Sequence, residues 1–130
     1  MNWMFVPFAR YADFSGRSRR KEFWMFQLLN LLVICALVVL LTTSGVSREE
    51  WTPAQMIPVG LFALWLLGTL VPNLALQVRR FHDQDKSGWF VLLGLIPYIG
   101  SLILLIFMLI DGTRGSNRFG NDPKAVEMAR

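Results

Sequence analysis

The chain has 130 residues, 54% of them hydrophobic and 17% charged, with a mean hydropathy of +0.44. That length holds one domain, and so apolar a composition excludes an ordinary water-soluble globule. Thirteen Lys and Arg against nine Asp and Glu leave a net charge of +4, but the cations flank apolar runs instead of forming a basic face, so membrane lipid and not nucleic acid is the expected partner.

Residues 1–22 mix Trp3, Phe5, Phe8, Tyr11 and Phe14 with Arg10, Arg17, Arg19, Arg20 and Lys21. Aromatics interleaved with cations suit the headgroup layer, and Pro7 and Gly16 restrict any helix here to a short one, so an interfacial segment is expected. Ser18 is placed to cap the first spanning helix, with Arg19, Arg20 and Lys21 in its first turn. Cations there oppose the helix dipole. Retention of positive charge on the cytoplasmic side accounts for them, as does an anion site suited to a lipid phosphate.

No charge occurs from Phe23 to Ser47. A hydrocarbon core takes roughly 20 apolar residues to cross, whereas the h-region of a signal peptide runs about 7–15. A retained first span over 23–43 is therefore expected, with Cys35 inside it, which as the sole cysteine can form no intramolecular disulfide and no cysteine-based zinc site. A connector over 44–52 carries Arg48, Glu49 and Glu50. Trp51 and Pro53 mark the return into the membrane, and the second span covers 54–78.

Along that span Thr69, Asn73 and Gln77 recur every four residues, a polar stripe on one helical face. Antiparallel helices bring Gln27 and Asn30 to the same depth as Asn73 and Gln77. Hydrogen bonding between helices among these four amides is the favoured reading, and a small polar cavity opening to the cytoplasm the alternative.

A cytoplasmic loop over 79–88 follows, holding Arg79, Arg80, His82, Asp83, Asp85 and Lys86. The last apolar window, 89–110, is broken by Gly94, Pro97 and Gly100. As a kinked full span it gives eight Lys and Arg inside against five outside; as a re-entrant hairpin it gives twelve against one. The hairpin has the better charge pattern, but it puts irregular backbone at membrane depth; the kinked span is preferred and both stay open. Residues 111–130 read as a polar tail of turn composition. The fold class is thus all-α: a polytopic membrane protein with two spanning helices and a third, Pro/Gly-broken segment.

Three blocks, FSGRSRRKEFW (14–24), RRFHDQDKSGW (79–89) followed by IPYIG, and GTRGSNRFGNDP (112–123), together resemble the family collected as domain of unknown function 805. The resemblance implies a small integral protein of the bacterial inner membrane. It implies no activity, no cofactor and no catalytic residue.

The residues themselves offer weak chemistry. His82, Asp83 and Asp85 contain one histidine where an HD-type hydrolase needs a second, so neither a metal site nor catalysis is expected. In the hairpin topology Arg17, Arg19, Arg20, Arg79, Arg80, Arg114 and Arg118 converge with Glu22, His82, Asp83 and Asp85 on the cytoplasmic surface. An ion-pair lattice is the favoured account of that patch, and an anion or partner site the other. The expected role is non-catalytic: contact with anionic lipid or a membrane-protein partner, in the bacterial inner membrane with the N-terminus cytoplasmic. The alternatives are a homo-oligomeric transporter or pore component built on the amides, and a membrane enzyme using His82, Asp83 and Asp85.

Overall fold

The computed structural model describes residues 2–45 and 50–129, so Arg48 and Glu49 of the expected connector, and Arg130, lie outside it. Its elements are α1 (Val6–Ala9), α2 (Arg20–Thr43), α3 (Pro53–Asp83), a 3₁₀ helix (Gly88–Leu95), α4 (Ile99–Leu109) and α5 (Pro123–Met128). No strand forms among the described residues beyond one bridge between Asn117 and Gly120.

α2 contains neither Gly nor Pro, and its 24 residues extend about 36 Å at 1.5 Å per residue. Its start corrects one expectation: Arg19 is the N-cap, because the Ser18 hydroxyl is taken by the Arg79 guanidinium, 2.7 Å away. α3 opens with the Gln55 side chain accepting from the Thr52 N–H at 3.0 Å, while the Gln55 N–H donates to the Thr52 carbonyl at 3.0 Å. Its 31 residues run five beyond the expected end, so Arg79 to Asp83 are helix and the loop shrinks to 84–87.

These two helices are long and apolar enough to cross a membrane. Only 11% of the apolar window of α2 and 22% of that of α3 are buried. The buried core is confined to one end of the pair, where Phe23, Phe26, Leu76, Phe81 and Met108 meet. Most of both helices therefore presents Leu, Val and Ile outward, which suits lipid and not water.

Two shorter pieces flank the pair. On one side α1 places Phe8 edge-on to Phe26 and Trp65, at centroid distances of 5.3 and 6.0 Å. Pro72, inside α3, has no N–H to give the carbonyl of Gly68 four residues earlier. The Tyr11 hydroxyl donates to that carbonyl instead, at 2.7 Å. The N-terminal segment therefore packs against both long helices. Trp3 alone stays with the cations, beneath Arg19 and Lys21 at 5.5 and 5.4 Å.

On the other side the last apolar window forms a hairpin, not a kinked continuous helix. The 3₁₀ helix has 8 residues and α4 has 11; at about 2.0 and 1.5 Å per residue each arm is roughly 16 Å long. The arms pack because Gly94 and Gly100 carry no side chain: a Cβ on Gly100 would overlap the Leu93 carbonyl, and one on Gly94 would lie 2.7 Å from Leu104. The reversal is a γ-turn. Tyr98 sits at φ +64° and ψ −54°, and the Ile99 N–H donates to the Pro97 carbonyl at 2.7 Å.

Candidate functional site

The hairpin returns the chain to where it left α3. Gln84 donates to the carbonyls of Phe107 at 2.5 Å and Ile110 at 3.4 Å, and Arg80 Nη2 donates to Ile110 at 2.8 Å. Phe107 lies in the last turn of α4 and Ile110 is its C-cap, where helical donors run out; the Phe107 carbonyl takes the Ile110 N–H as well, at 3.2 Å. The three sequence blocks thus meet at the C-terminal end of α3.

What holds them is a set of three buried guanidiniums. Arg79, fully buried, donates from Nε to Ser18 Oγ, from Nη1 to the carbonyls of Asp13 and Arg10 at 2.6 and 3.2 Å, and from Nη2 to Glu22 at 3.0 Å. Arg80, also fully buried, pairs with Asp83 Oδ2 at 2.6 Å and donates to the Ser18 carbonyl at 3.0 Å. Arg17 pairs with the other oxygen of Asp83 at 3.0 Å and reaches the carbonyls of Thr113 and Gly115 at 2.6 and 2.7 Å. One carboxylate therefore joins the first block, the second block and the tail.

The tail supplies matching groups. Thr113 donates its N–H to the Asp83 carbonyl at 2.7 Å, and Asn117 adds a donor at 3.0 Å to the His82 carbonyl, both in the last turn of α3. Gly112 lies so close that a Cβ would overlap the Asp83 carboxylate. α3 itself ends in a Schellman arrangement: Asp85 takes φ +56°, its N–H meets the His82 carbonyl at 3.0 Å, and the Lys86 N–H meets the Phe81 carbonyl at 2.8 Å.

His82, Asp83 and Asp85 do not converge. His82 bonds the Gly16 carbonyl through Nδ1 at 3.0 Å and stacks on Phe119 at 4.0 Å, Asp83 faces Arg17 and Arg80, and Asp85 faces Arg118 at 3.3 Å. Among the described residues no group of three His, Cys, Asp or Glu could hold a metal ion. Ser87 accepts from the Trp89 N–H at 3.4 Å, so it caps the 3₁₀ helix. Outside the spans, the Ser15 hydroxyl and Arg10 hold the Asp13 carboxyl down at about 2, and Lys124 holds Asp111 below its ordinary value.

The seven arginines expected to form one patch divide by burial. Arg17, Arg79 and Arg80 are buried and bond inside the protein, Arg80 through both Nη atoms but not Nε, and Arg19 is half-buried. Arg20, Arg114 and Arg118, with Lys21, face outward.

The amide layer also divides. Gln27 donates to Asn73 at 2.9 Å, as the stripe suggests. Asn30 instead accepts from the Trp65 indole at 3.1 Å, on the α1 side. Gln77 makes no side-chain hydrogen bond among the described residues; with Gln27, Asn73, Phe23, Trp24, Ser101, Leu104, Leu105 and Met108 it lines a groove of about 290 Å³ between α2, α3 and α4. Ser101, Trp65, Tyr11 and Thr113 were not singled out as site residues from the sequence. Pro72 was the one available signal, since a proline in a spanning helix leaves a carbonyl wanting a donor.

The sequence profile of the family described as "Protein of unknown function (DUF805)" matches residues 11–121. Over 95% of this chain it is 45% identical to Inner membrane protein YhaI and 41% identical to Inner membrane protein YhaH, both of Escherichia coli K12, covering 97% and 98% of those relatives. An uncharacterized protein of the same organism, YiiR, is 26% identical over 88% of each chain. No solved structure matches. With its motifs meeting at one end of two membrane-length helices and the profile covering most of its length, the chain belongs to the DUF805 family of proteins of unknown function.

Proposed function

We propose that this is a multi-pass protein of the inner membrane, without catalytic activity, whose cross-linked polar end lies on the cytoplasmic side and contacts anionic headgroups or a membrane-protein partner there. The observation that carries this reading is the attachment of all three sequence blocks to the C-terminal end of α3. Eleven of the thirteen Lys and Arg lie on that end, and Arg48 and Arg130 are outside the described residues. The positive-inside rule then supports a cytoplasmic N-terminus and a cytoplasmic tail.

In this topology residues 88–110 re-enter. Arms of about 16 Å reach only halfway through a core of about 30 Å. The sequence-level objection was irregular backbone at membrane depth. Much of it is met locally: Ile96 donates to Leu93 at 3.2 Å, Ile99 to Pro97 and Gly100 to Ile96 at 3.0 Å, while Pro97 has no N–H to satisfy.

The test has two readouts. A reporter fused after residue 130 should be fluorescent and carry no periplasmic phosphatase activity; an active phosphatase would sink the topology. Replacing Lys86, Arg114 and Arg118 together with Gln should lower the phosphatidylglycerol enrichment of copurified lipid, and unchanged enrichment in the folded variant counts against headgroup contact.

A further inference from the structure

We infer that the groove between α2, α3 and α4 is a built site for one anionic glycerophospholipid, an inference that narrows the headgroup reading above to a single defined position. The wall is graded from charged to apolar in the order in which such a lipid is graded. Arg20, Trp24 and Gln27 are spaced i, i+4, i+7 and so share one face of α2. Arg20 is exposed at the head of that face. Asp111, the carboxylate at that level, is held by Lys124 at 2.7 and 2.8 Å and also feels the charge of Arg20, so two cations share one carboxylate and the end of that face keeps a net positive charge for a phosphate.

Below it stands Gln77, three residues from Arg80 along α3 and so about 5 Å deeper. That is the level of the glycerol esters beneath the phosphates. Its amide has no hydrogen bond among the described residues, although it is half-buried in the wall of the groove. An ester carbonyl can accept from it. The cost of an unmet amide in hydrocarbon gives the site its preference for an occupant with acceptors at that depth.

Deeper still, Gln27 and Asn73 bond one another and Ser101 begins α4, closing the groove. Leu104, Leu105 and Met108 supply an apolar wall along its length. The volume of about 290 Å³ lies at the small end of the roughly 300–1,000 Å³ range of ligand clefts. It takes the glycerol and the upper part of a chain and leaves the rest in the bilayer. Two features select a lipid over a second copy of this chain: the cation at the mouth, and the placement of Gln77 at ester depth.

Native mass spectrometry of the full chain, released from nanodiscs of phosphatidylglycerol and phosphatidylethanolamine, reads the occupant directly. The wild type should retain one phosphatidylglycerol per chain. Ser101→Trp and Leu105→Trp, both at exposed positions, fill the groove and should each lower that retention about tenfold; Gln77→Leu, which loses one hydrogen bond, should lower it about fivefold. Arg20→Gln should keep a bound lipid while losing the preference for phosphatidylglycerol.

Undiminished retention in both tryptophan variants overturns the site, as does a tryptophan variant that turns a dimer into a monomer with its lipid unchanged, since the occupant is then a second copy. If the Lys86, Arg114 and Arg118 variant loses general enrichment while the tryptophan variants change nothing, the groove fails and headgroup contact stands. The reverse pattern removes general headgroup contact and leaves the groove.

Discussion

The two flanks of the α2 and α3 pair are built from similar materials and end in different states. On the α1 flank every special group has found a partner: Asn30 holds the Trp65 indole, Tyr11 fills the acceptor left by Pro72, and Phe8 packs between Phe26 and Trp65. On the hairpin flank Gln27 and Asn73 satisfy one another, yet Gln77 faces an open groove. The difference teaches where to look for a ligand. A closed flank is structure, whereas an amide left open at headgroup depth is an invitation to something outside the chain.

The largest expected effect comes from Asp83, because it holds both flanks at once. Asp83→Asn leaves both the Arg17 and the Arg80 guanidinium buried without a carboxylate partner, and should cost about 3–5 kcal/mol. Unfolding in a detergent titration measures it; a loss under about 1 kcal/mol would show that the staple contributes little.

Breaking only the hairpin flank is milder. Gly100→Ala drives a methyl into the Leu93 carbonyl, so the arms must separate at a cost of about 1–3 kcal/mol. The groove they bound should widen and its lipid retention fall, with the Tyr11 side unaffected.

Smallest is Tyr11→Phe on the closed flank. It removes one hydrogen bond and leaves the Gly68 carbonyl unmet, for about 0.5–1.5 kcal/mol. Combining it with Pro72→Ala, which restores the helical donor, should recover part of the loss. Strict additivity of the two in a double-mutant cycle would disprove the link between them.

Much of the fold can be read directly from the chain. Three windows without charge, the break at Pro97, and a resemblance spread over three blocks were enough for a membrane class, for the approximate spans and for the two topologies of the last segment. Burial of the guanidiniums could not be read, since thirteen cations near nine acids do not state which pairs form. Ser18 shows why: at a helix start it reads as a cap, and only the approach of Arg79 across the bundle gives it another bond. Asp85 reads as one more charge partner for the arginines, and only the local helix ending reveals it as a left-handed stop.

The sequence by itself determined what the chain must be surrounded by, because hydrocarbon tolerates long runs without charge and selects little else about them. The tertiary structure decided which charges are spent inside and which remain outside. It also decided that the last segment turns back, through glycines small enough for its arms to touch. Pairing and close approach depend on residues far apart in the chain, and those distances are set only when the helices pack.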